Sequence, residues 1–368
     1  MKKIKVLTIF GTRPEAIKMA PLVQLLQQRK EDFECIVCVT AQHREMLDQV
    51  LDVFKIFPNY DLNIMKEKQT LVEITVRALK GLEEVMIKEK PDIVLVHGDT
   101  STTFLGSLAA FYQQIPVGHV EAGLRTWDKK SPFPEEINRQ LTGVIADIHF
   151  APTDWSANNL RKENKREETI FITGNTVIDS FKTTVKESYE HPILEKLTGK
   201  RMILVTAHRR ENLGAPMENI FKAINRLVEK HEDIAVVFPV HLNPLVQETV
   251  KRILGNNERI YLLNPLDVVD FHNFESRAHL ILTDSGGLQE EAPYFGVPVL
   301  VLRNTTERPE GVEAGTLKLV GTDENDIFNT ADELLTDKSA YDKMAKAANP
   351  YGDGFASERI ADAISSLF

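Results

Sequence analysis

The chain predicts an α/β protein built as two doubly wound, Rossmann-like parallel-sheet domains in tandem. Three observations lead there. Short apolar runs alternate with helical patterns. The alternation restarts past the middle of the 368 residues. Polar residues collect at the carboxyl ends of the apolar runs, on both halves.

In the first half, Ile4–Phe10, Glu34–Thr40, Ile93–His97, Ile115–Val120 and Ile148–Ala151 read as strands. Helical patterns lie between them at Glu15–Arg29, Arg44–Phe54, Leu71–Lys88, Thr102–Tyr112 and Glu135–Ala146. In the second half the strands read as Met202–Thr206, Ala235–Val240, Arg259–Leu262, Leu280–Thr283 and Pro298–Leu302. Helices fall near Met217–Lys230, Pro244–Leu254, Val268–Arg277 and Leu288–Phe295. Repeated βαβ units imply parallel sheets with helices on both faces. The seam lies between Ile172 and Lys200, which divides the chain into domains at 1–173 and 174–353. The tail reads as helical, broken at Asn349–Gly354. Its last stretch, about 354–368, is expected to return to the first domain.

Composition narrows the function classes. A hydrophobic content of 42% can fill two cores. The formal net charge of −10 argues against broad nucleic-acid binding, though a local basic pocket for a phosphorylated small molecule remains compatible. No signal peptide follows Met1-Lys2-Lys3, and no apolar run reaches the ~18 residues of a membrane span. The expectation is a soluble, cytoplasmic protein with no membrane partner. Cys35 and Cys38 form a C-x-x-C spacing. They sit in a run that reads as a core strand, where positions three apart face opposite ways. No second pair completes a zinc site, so no metal is expected.

The strand ends carry the chemistry. In open parallel sheets ligands bind beyond those ends, and two halves stocked in this way imply a ligand cleft between domains. The most telling stretch runs Leu280-Ile-Leu-Thr-Asp-Ser-Gly-Gly-Leu-Gln-Glu-Glu291. A buried strand stops at Thr283, Asp284 and Ser285, each a good helix N-cap, and turns through Gly286 and Gly287 into a helix. Such a turn can cradle a phosphate on backbone N–H groups and the helix dipole. Glu290 and Glu291 lie one turn in, placed for a sugar hydroxyl. Gly11-Thr12-Arg13-Pro14-Glu15, with Lys18 one turn on, offers a clamp for an acidic group, and Pro14 suits a helix start.

Asp99, Glu121, Glu135 and Glu136 supply carboxylates from separate elements. Taking a proton from a weakly acidic carbon needs such a group within hydrogen-bond reach. Asp99 could equally cap the next helix, and the dipole alone would explain Glu135 and Glu136. His208-Arg209-Arg210-Glu211 joins a titratable imidazole to two guanidiniums suited to phosphate. His241 is a weaker candidate. Neither a P-loop nor a G-x-G-x-x-G follows the first strand, so ATP hydrolysis and tightly bound NAD are not supported.

Together these runs resemble the non-hydrolysing UDP-N-acetylglucosamine 2-epimerases. The matching runs are Phe10–Lys18, Val96–Thr100, His119–Arg125, Pro132–Arg139, Gly174–Asp179, His208–Asn212, 282–293 and Arg303–Glu310. They occur in order over essentially the whole chain. The resemblance implies a glycosyltransferase-B-like fold and reversible interconversion of UDP-N-acetylglucosamine and UDP-N-acetylmannosamine. UDP would be eliminated to leave a 2-acetamidoglucal, then re-added, with no metal or redox cofactor. The product would supply cell-surface polysaccharide.

Carried over by motif, Asp99, Glu121, Glu135 and His208 are the acid/base set, with the carbon-2 base not singled out. Arg13, Lys18, His208, Ser285, Gly286, Gly287, Glu291 and Arg308 would hold the nucleotide sugar, Glu291 on the ribose. Leu266 and Phe271 would meet the uracil. An allosteric site for a second UDP-N-acetylglucosamine would draw on Gln42, Glu45, Lys68, Glu135, Arg209 and His241. Glu45 stands where Gln is familiar and Lys68 where Arg is, and Lys lacks the arginine fork. A homodimer is also implied. The rival readings are a glycosyltransferase of the same fold, a hydrolysing 2-epimerase and a non-catalytic nucleotide-sugar sensor.

Overall fold

The computed structural model describes residues 2–41, 44–65 and 69–368, with the main chain alone at position 45. Gln42, Lys68 and the Glu45 side chain, three members of the expected allosteric set, lie outside the described residues.

The first sheet holds β1 (Ile4–Phe10), β2 (Phe33–Val39), β3 (Tyr60–Asp61), β4 (Ile93–His97), β5 (Val117–Val120), β6 (Ile148–Ala151) and β7 (Ile170–Ile172). All pair in parallel, in the order β3-β2-β1-β4-β5-β6-β7. The second sheet holds β8 (Arg201–Thr206), β9 (Ile234–Pro239), β10 (Ile260–Leu263), β11 (Leu280–Thr283), β12 (Val299–Val301) and β13 (Leu317–Leu319). It too is parallel, in the order β10-β9-β8-β11-β12-β13. Each order reverses once, between β1 and β4 and between β8 and β11. Those are the switch points where such sheets place ligands.

Why both faces are covered can be seen in the second sheet. Ile203, Val205, Val236, Phe238, Leu280 and Leu282 enter one buried cluster. Their neighbours Met202, Leu204, Ala235, Val237 and Ile281 enter another. Successive side chains alternate faces, so a strand with helices on each side must be apolar throughout. That is why these strands read as unbroken apolar runs. The two- and three-residue strands β3, β7 and β13 were not anticipated. They are too short for any pattern to show. The helix expected over Leu288–Phe295 is an α-helix only at Gly287–Glu291 and tightens to a 3-10 turn at Ala292–Phe295. Pro293, which has no N–H to donate, sits in that turn.

The chain divides into two compact units, 1–183 with 351–368, and 184–350. The seam therefore differs from the expected 173/174 and 353/354. Two anchors explain the shift. The Asn175 N–H donates to Tyr351 O at 2.7 Å. Asp179 accepts the N–H groups of Ala356 and Ser357 at 3.2 and 2.8 Å, at the start of helix Ala356–Leu367. That helix packs on helix Arg13–Gln28, where Arg29 also pairs with Asp362. Among the described residues, no helix is long and apolar enough to cross a membrane.

Candidate active site

In the first unit, the loops after β1, β4 and β5 meet around Glu121. Glu121 follows β5 with φ +60, a left-handed conformation that non-glycine residues rarely adopt. Such strain concentrates where a side chain must be aimed. Three groups converge on its Oε2: Lys18 in an ion pair, Asn175 Nδ2 at 2.9 Å, and His97 Nε2 at 3.6 Å. Its Oε1 faces Gly98, where a Cβ would stand 3.6 Å away. Lys18, expected on substrate, lies against Glu121.

Asp99 comes directly after Gly98. It does not cap the next helix; Thr100 does, accepting the Thr103 N–H at 3.2 Å. Asp99 is left to pair with Arg139, and its carbonyl takes Asn138 Nδ2 at 3.0 Å. Glu135 heads the same helix, half-buried and one turn before Arg139, on the same face. Thus Asp99, Glu121, Glu135 and Lys18 share one end of one sheet. Glu136 leaves the candidate set. It is fully buried and accepts the N–H groups of Thr126 and Trp127, each at 3.0 Å, and Gln140 Nε2 at 2.7 Å. Its work is to hold that loop.

Glu15 performs a similar task at the switch point. Its Oε2 accepts the N–H groups of Gly11 and Thr12 at 3.0 and 2.8 Å. Its Oε1 accepts the hydroxyls of Thr100 and Thr103 at 2.6 and 3.2 Å. The loops after β1 and β4 are thereby joined. Burial pushes this carboxyl up, against those hydrogen bonds. Arg13 opens the helix beside it, half-buried. A Thr12-x-x-Glu15 capping box is the sequence pattern that could have revealed this role, and it went unread.

Two buried imidazoles underlie the site. The His119 ring lies 2.7 Å from Gly98 O, where its Nε2–H donates to the carbonyl. Burial lowers His119 to about 3, and His149 beside it on β6 also to about 3. Both rings are neutral at neutral pH.

In the second unit, Asp284 joins the loops after β11 and β8. It is fully buried, and rather than capping its own helix it reaches across the switch point. It accepts the N–H groups of His208 at 2.9 Å and Arg209 at 2.9 Å, and Asn212 Nδ2 at 3.0 Å. The His208 Nδ1 lies 3.3 Å from Asp284 Oδ1. His241 stacks on the His208 ring, centroids 5.5 Å apart. Burial lowers the His208 pKa, Asp284 opposes that, and His241 and Arg209 reinforce it. Arg209 Nε donates to Asp284 O at 3.2 Å. Of the expected allosteric residues, Arg209 and His241 therefore adjoin His208, and Glu135 belongs to the other unit.

The Ser285-Gly286-Gly287 turn is present as expected, with two refinements. The Ser285 N–H is already given to Thr283 Oγ1 at 2.9 Å. Arg308 lies against the turn: a Cβ on Gly286 would stand 2.7 Å from its NH1, so only glycine lets the guanidinium so close. Glu290 is buried and accepts Arg308 Nε at 2.8 Å, which removes it as a sugar reader. Glu307 accepts from Arg303 at 2.9 and 3.2 Å and lies 3.6 Å from Arg308. Burial opposes its ionisation, yet the two arginines bring it down to about 2.

Glu291 folds back over Gly287, where a Cβ would stand 2.9 Å from its Oε1. Behind it are His272 and Glu275, with one ligand atom of each residue within 4.8 Å of the others. His272 is fixed through Nδ1 by the Thr184 hydroxyl at 2.8 Å. Burial, then the Glu291 charge, push the Glu275 carboxyl well above the usual range, so it keeps its proton. Those residues were not in the expected set. Leu266 and Phe271 flank the start of helix Val268–Glu275, half-buried against the second core. Cys35 and Cys38 are free thiols, both pushed by burial to about 12, and unreactive for that reason.

A sequence model of the family described as UDP-N-acetylglucosamine 2-epimerase matches residues 26–365. A Bacillus subtilis protein named UDP-N-acetylglucosamine 2-epimerase is 65% identical over 362 residues, covering 98% of this chain and 95% of its own. A solved Listeria monocytogenes structure is 61% identical with a TM-score of 0.95, covering 100% of this chain and 97% of its own. The UDP-GlcNAc 2-epimerase of Neisseria meningitidis, solved bound to UDP-GlcNAc, is 49% identical with a TM-score of 0.91, covering 99% and 100%. With likeness of this depth along nearly its full length, and with the matching motifs seated at both switch points, the chain belongs to the UDP-N-acetylglucosamine 2-epimerase family.

Proposed function

We propose that this chain interconverts UDP-N-acetylglucosamine and UDP-N-acetylmannosamine without hydrolysing either. The second unit holds the nucleotide. Arg308 and the Ser285–Gly287 turn face the diphosphate, Glu291 the ribose, and Leu266 and Phe271 the uracil. The first unit works on carbon 2. Glu121 takes the carbon-2 proton as the C1–O bond breaks, and that electron pair leaves with UDP. A 2-acetamidoglucal remains. Delivery of a proton to the opposite face of carbon 2, with UDP re-adding at C1, completes the epimerisation. Atoms balance and nothing is oxidised, so no redox cofactor is called for.

The observation that carries this reading is the convergence of Lys18, Asn175 and His97 on one oxygen of Glu121. A carboxylate held in this way presents its other oxygen in a fixed direction, as a general base must. Asp99 and Glu135 stand at the same sheet end for the return of the proton. His208, neutral at neutral pH, becomes more basic beside a diphosphate and can share its developing charge. The product serves cell-surface polysaccharide. Self-association as a homodimer is part of the proposal; the exposed apolar stripe Phe133, Ile137, Leu141 and Val144 supports it. So is activation by a second UDP-N-acetylglucosamine near Arg209 and His241, which would appear as a lag when UDP-N-acetylmannosamine is the only substrate.

Proton NMR of UDP-N-acetylglucosamine incubated with the protein in heavy water is the deciding experiment. Deuterium at carbon 2 and both epimers are expected. No exchange at carbon 2 over a long incubation sinks the reading and leaves a transferase or a sensor. Free N-acetylmannosamine accumulating with UDP selects the hydrolysing reaction.

A further inference from the structure

Asn175 belongs to a segment that the sequence marked as a seam and as one of the family-like runs, with no role for this residue. It is buried, 2% exposed, and every polar group of its side chain is engaged. The Oδ1 accepts the Val177 N–H at 3.0 Å. With the oxygen so committed, the amide can point only its NH2 at Glu121, and Nδ2 donates to Glu121 Oε2 at 2.9 Å. Its backbone N–H donates to Tyr351 O at 2.7 Å. Tyr351 is the first residue of the chain after it returns from the second unit. The two passing segments touch at glycines: a Cβ on Gly174 would stand 3.3 Å from Gly352 Cα, and one on Gly352 3.1 Å from Gly174 Cα. Both have positive φ, +87 and +122, so larger residues there would be strained as well as crowded.

We infer that Asn175 is a positioning residue for Glu121 and takes its own position from the returning chain at Tyr351. The inference rests on the reading of Glu121 as the carbon-2 base. Lys18 supplies charge to Glu121 Oε2, but an ammonium on a flexible stem sets no plane. The Asn175 amide is planar and clamped at both ends. It fixes the rotation of the carboxylate and so turns Oε1 toward the reacting carbon. The segment that leaves one unit, the segment that returns to it, and the base are thereby linked through a single residue.

The test uses the full-length protein and three variants, Asn175→Ala, Asn175→Asp and Glu121→Gln. Turnover, KM for UDP-N-acetylglucosamine, calorimetric UDP affinity and melting temperature are measured for each. Asn175→Ala is expected to lower kcat about 100-fold, the scale of a small misplacement of a reacting group, with KM and UDP affinity changed less than about threefold. Asn175→Asp keeps the shape but sets a carboxylate against Glu121, and is expected to be slower still. It carries the test if the alanine variant does not fold. A kcat of Asn175→Ala within about threefold of wild type, beside an inactive Glu121→Gln, overturns the inference alone. Equal losses of kcat and UDP affinity also overturn it, since they mark a general structural role. Near-normal turnover of Glu121→Gln overturns the base reading itself and the inference with it.

Discussion

The Asp284 carboxylate accepts the backbone N–H of His208 through both oxygens, at 3.1 and 2.9 Å, from the loop that follows the neighbouring strand of the second sheet. A buried carboxylate that organises two backbone donors and an asparagine cannot be replaced by an amide without turning one N–H on another. Asp284→Asn is therefore expected to destabilise the second unit by about 2–3 kcal/mol, a buried donor being left unsatisfied. The loss appears as a fall of roughly 5–10 °C in melting temperature. Turnover falls further than stability, because the His208 loop is released.

Gly286→Ala tests the Arg308 contact. The new methyl would stand 2.7 Å from the guanidinium, which Glu290 holds in place. The side chain must shift by several tenths of an ångström. UDP affinity is expected to fall about 10- to 100-fold, about 1.4–2.8 kcal/mol, measured by calorimetry. Melting temperature should move little. An unchanged affinity would remove Arg308 and the turn from the diphosphate site.

The His119 and His149 rings predict how the first unit responds to acid. Each is lowered to about 3 by burial, from the ordinary imidazole value of 6.5. Above 6.5 both folded and unfolded forms are neutral and the rings contribute no pH dependence. Below it the unfolded chain binds protons that the folded one refuses, so stability falls as pH drops from 6.5 toward about 3. The slope is up to about 1.4 kcal/mol per pH unit for each ring. His149→Leu is expected to fold and to flatten the fall in melting temperature between pH 7 and 5, recorded by calorimetric scans.

Glu275 predicts the opposite sign. Its carboxyl is raised by burial and by Glu291, so the folded state holds a proton that the unfolded state releases above the ordinary range near 4.5. Stability is lost as pH rises from there through the folded value. Glu275→Gln keeps the shape with no proton to lose. It is expected to raise the melting temperature at pH 8 by about 2–4 °C, the equivalent of roughly 1 kcal/mol, and to have little effect at pH 4.5. A variant equally destabilised at both pH values would show that the proton is not what matters there.

Much was legible before folding. Apolar runs such as Leu280–Thr283 announce a buried parallel strand, because both faces must be covered. Polar residues gathered at strand ends then locate the sites, because parallel sheets leave those ends open. Arg13, Asp99, Glu121, His208 and the Ser285–Gly287 turn all stand just beyond such ends. What the sequence could not distribute is the work of each carboxylate. Glu15, Glu136, Glu290 and Asp284 look in the sequence as available as Glu121 and Asp99, yet the first four are buried and committed to neighbouring groups. His272 and Glu275 carried no signal, and the Gly174–Asp179 run did not say what Asn175 does, since their partners Thr184, Glu291 and Glu121 lie far away in the chain or on other elements. Local pattern reports propensity and periodicity over a few residues. The role of a buried polar group is set by the one partner that satisfies it, and only the tertiary structure brings that partner within 3 Å.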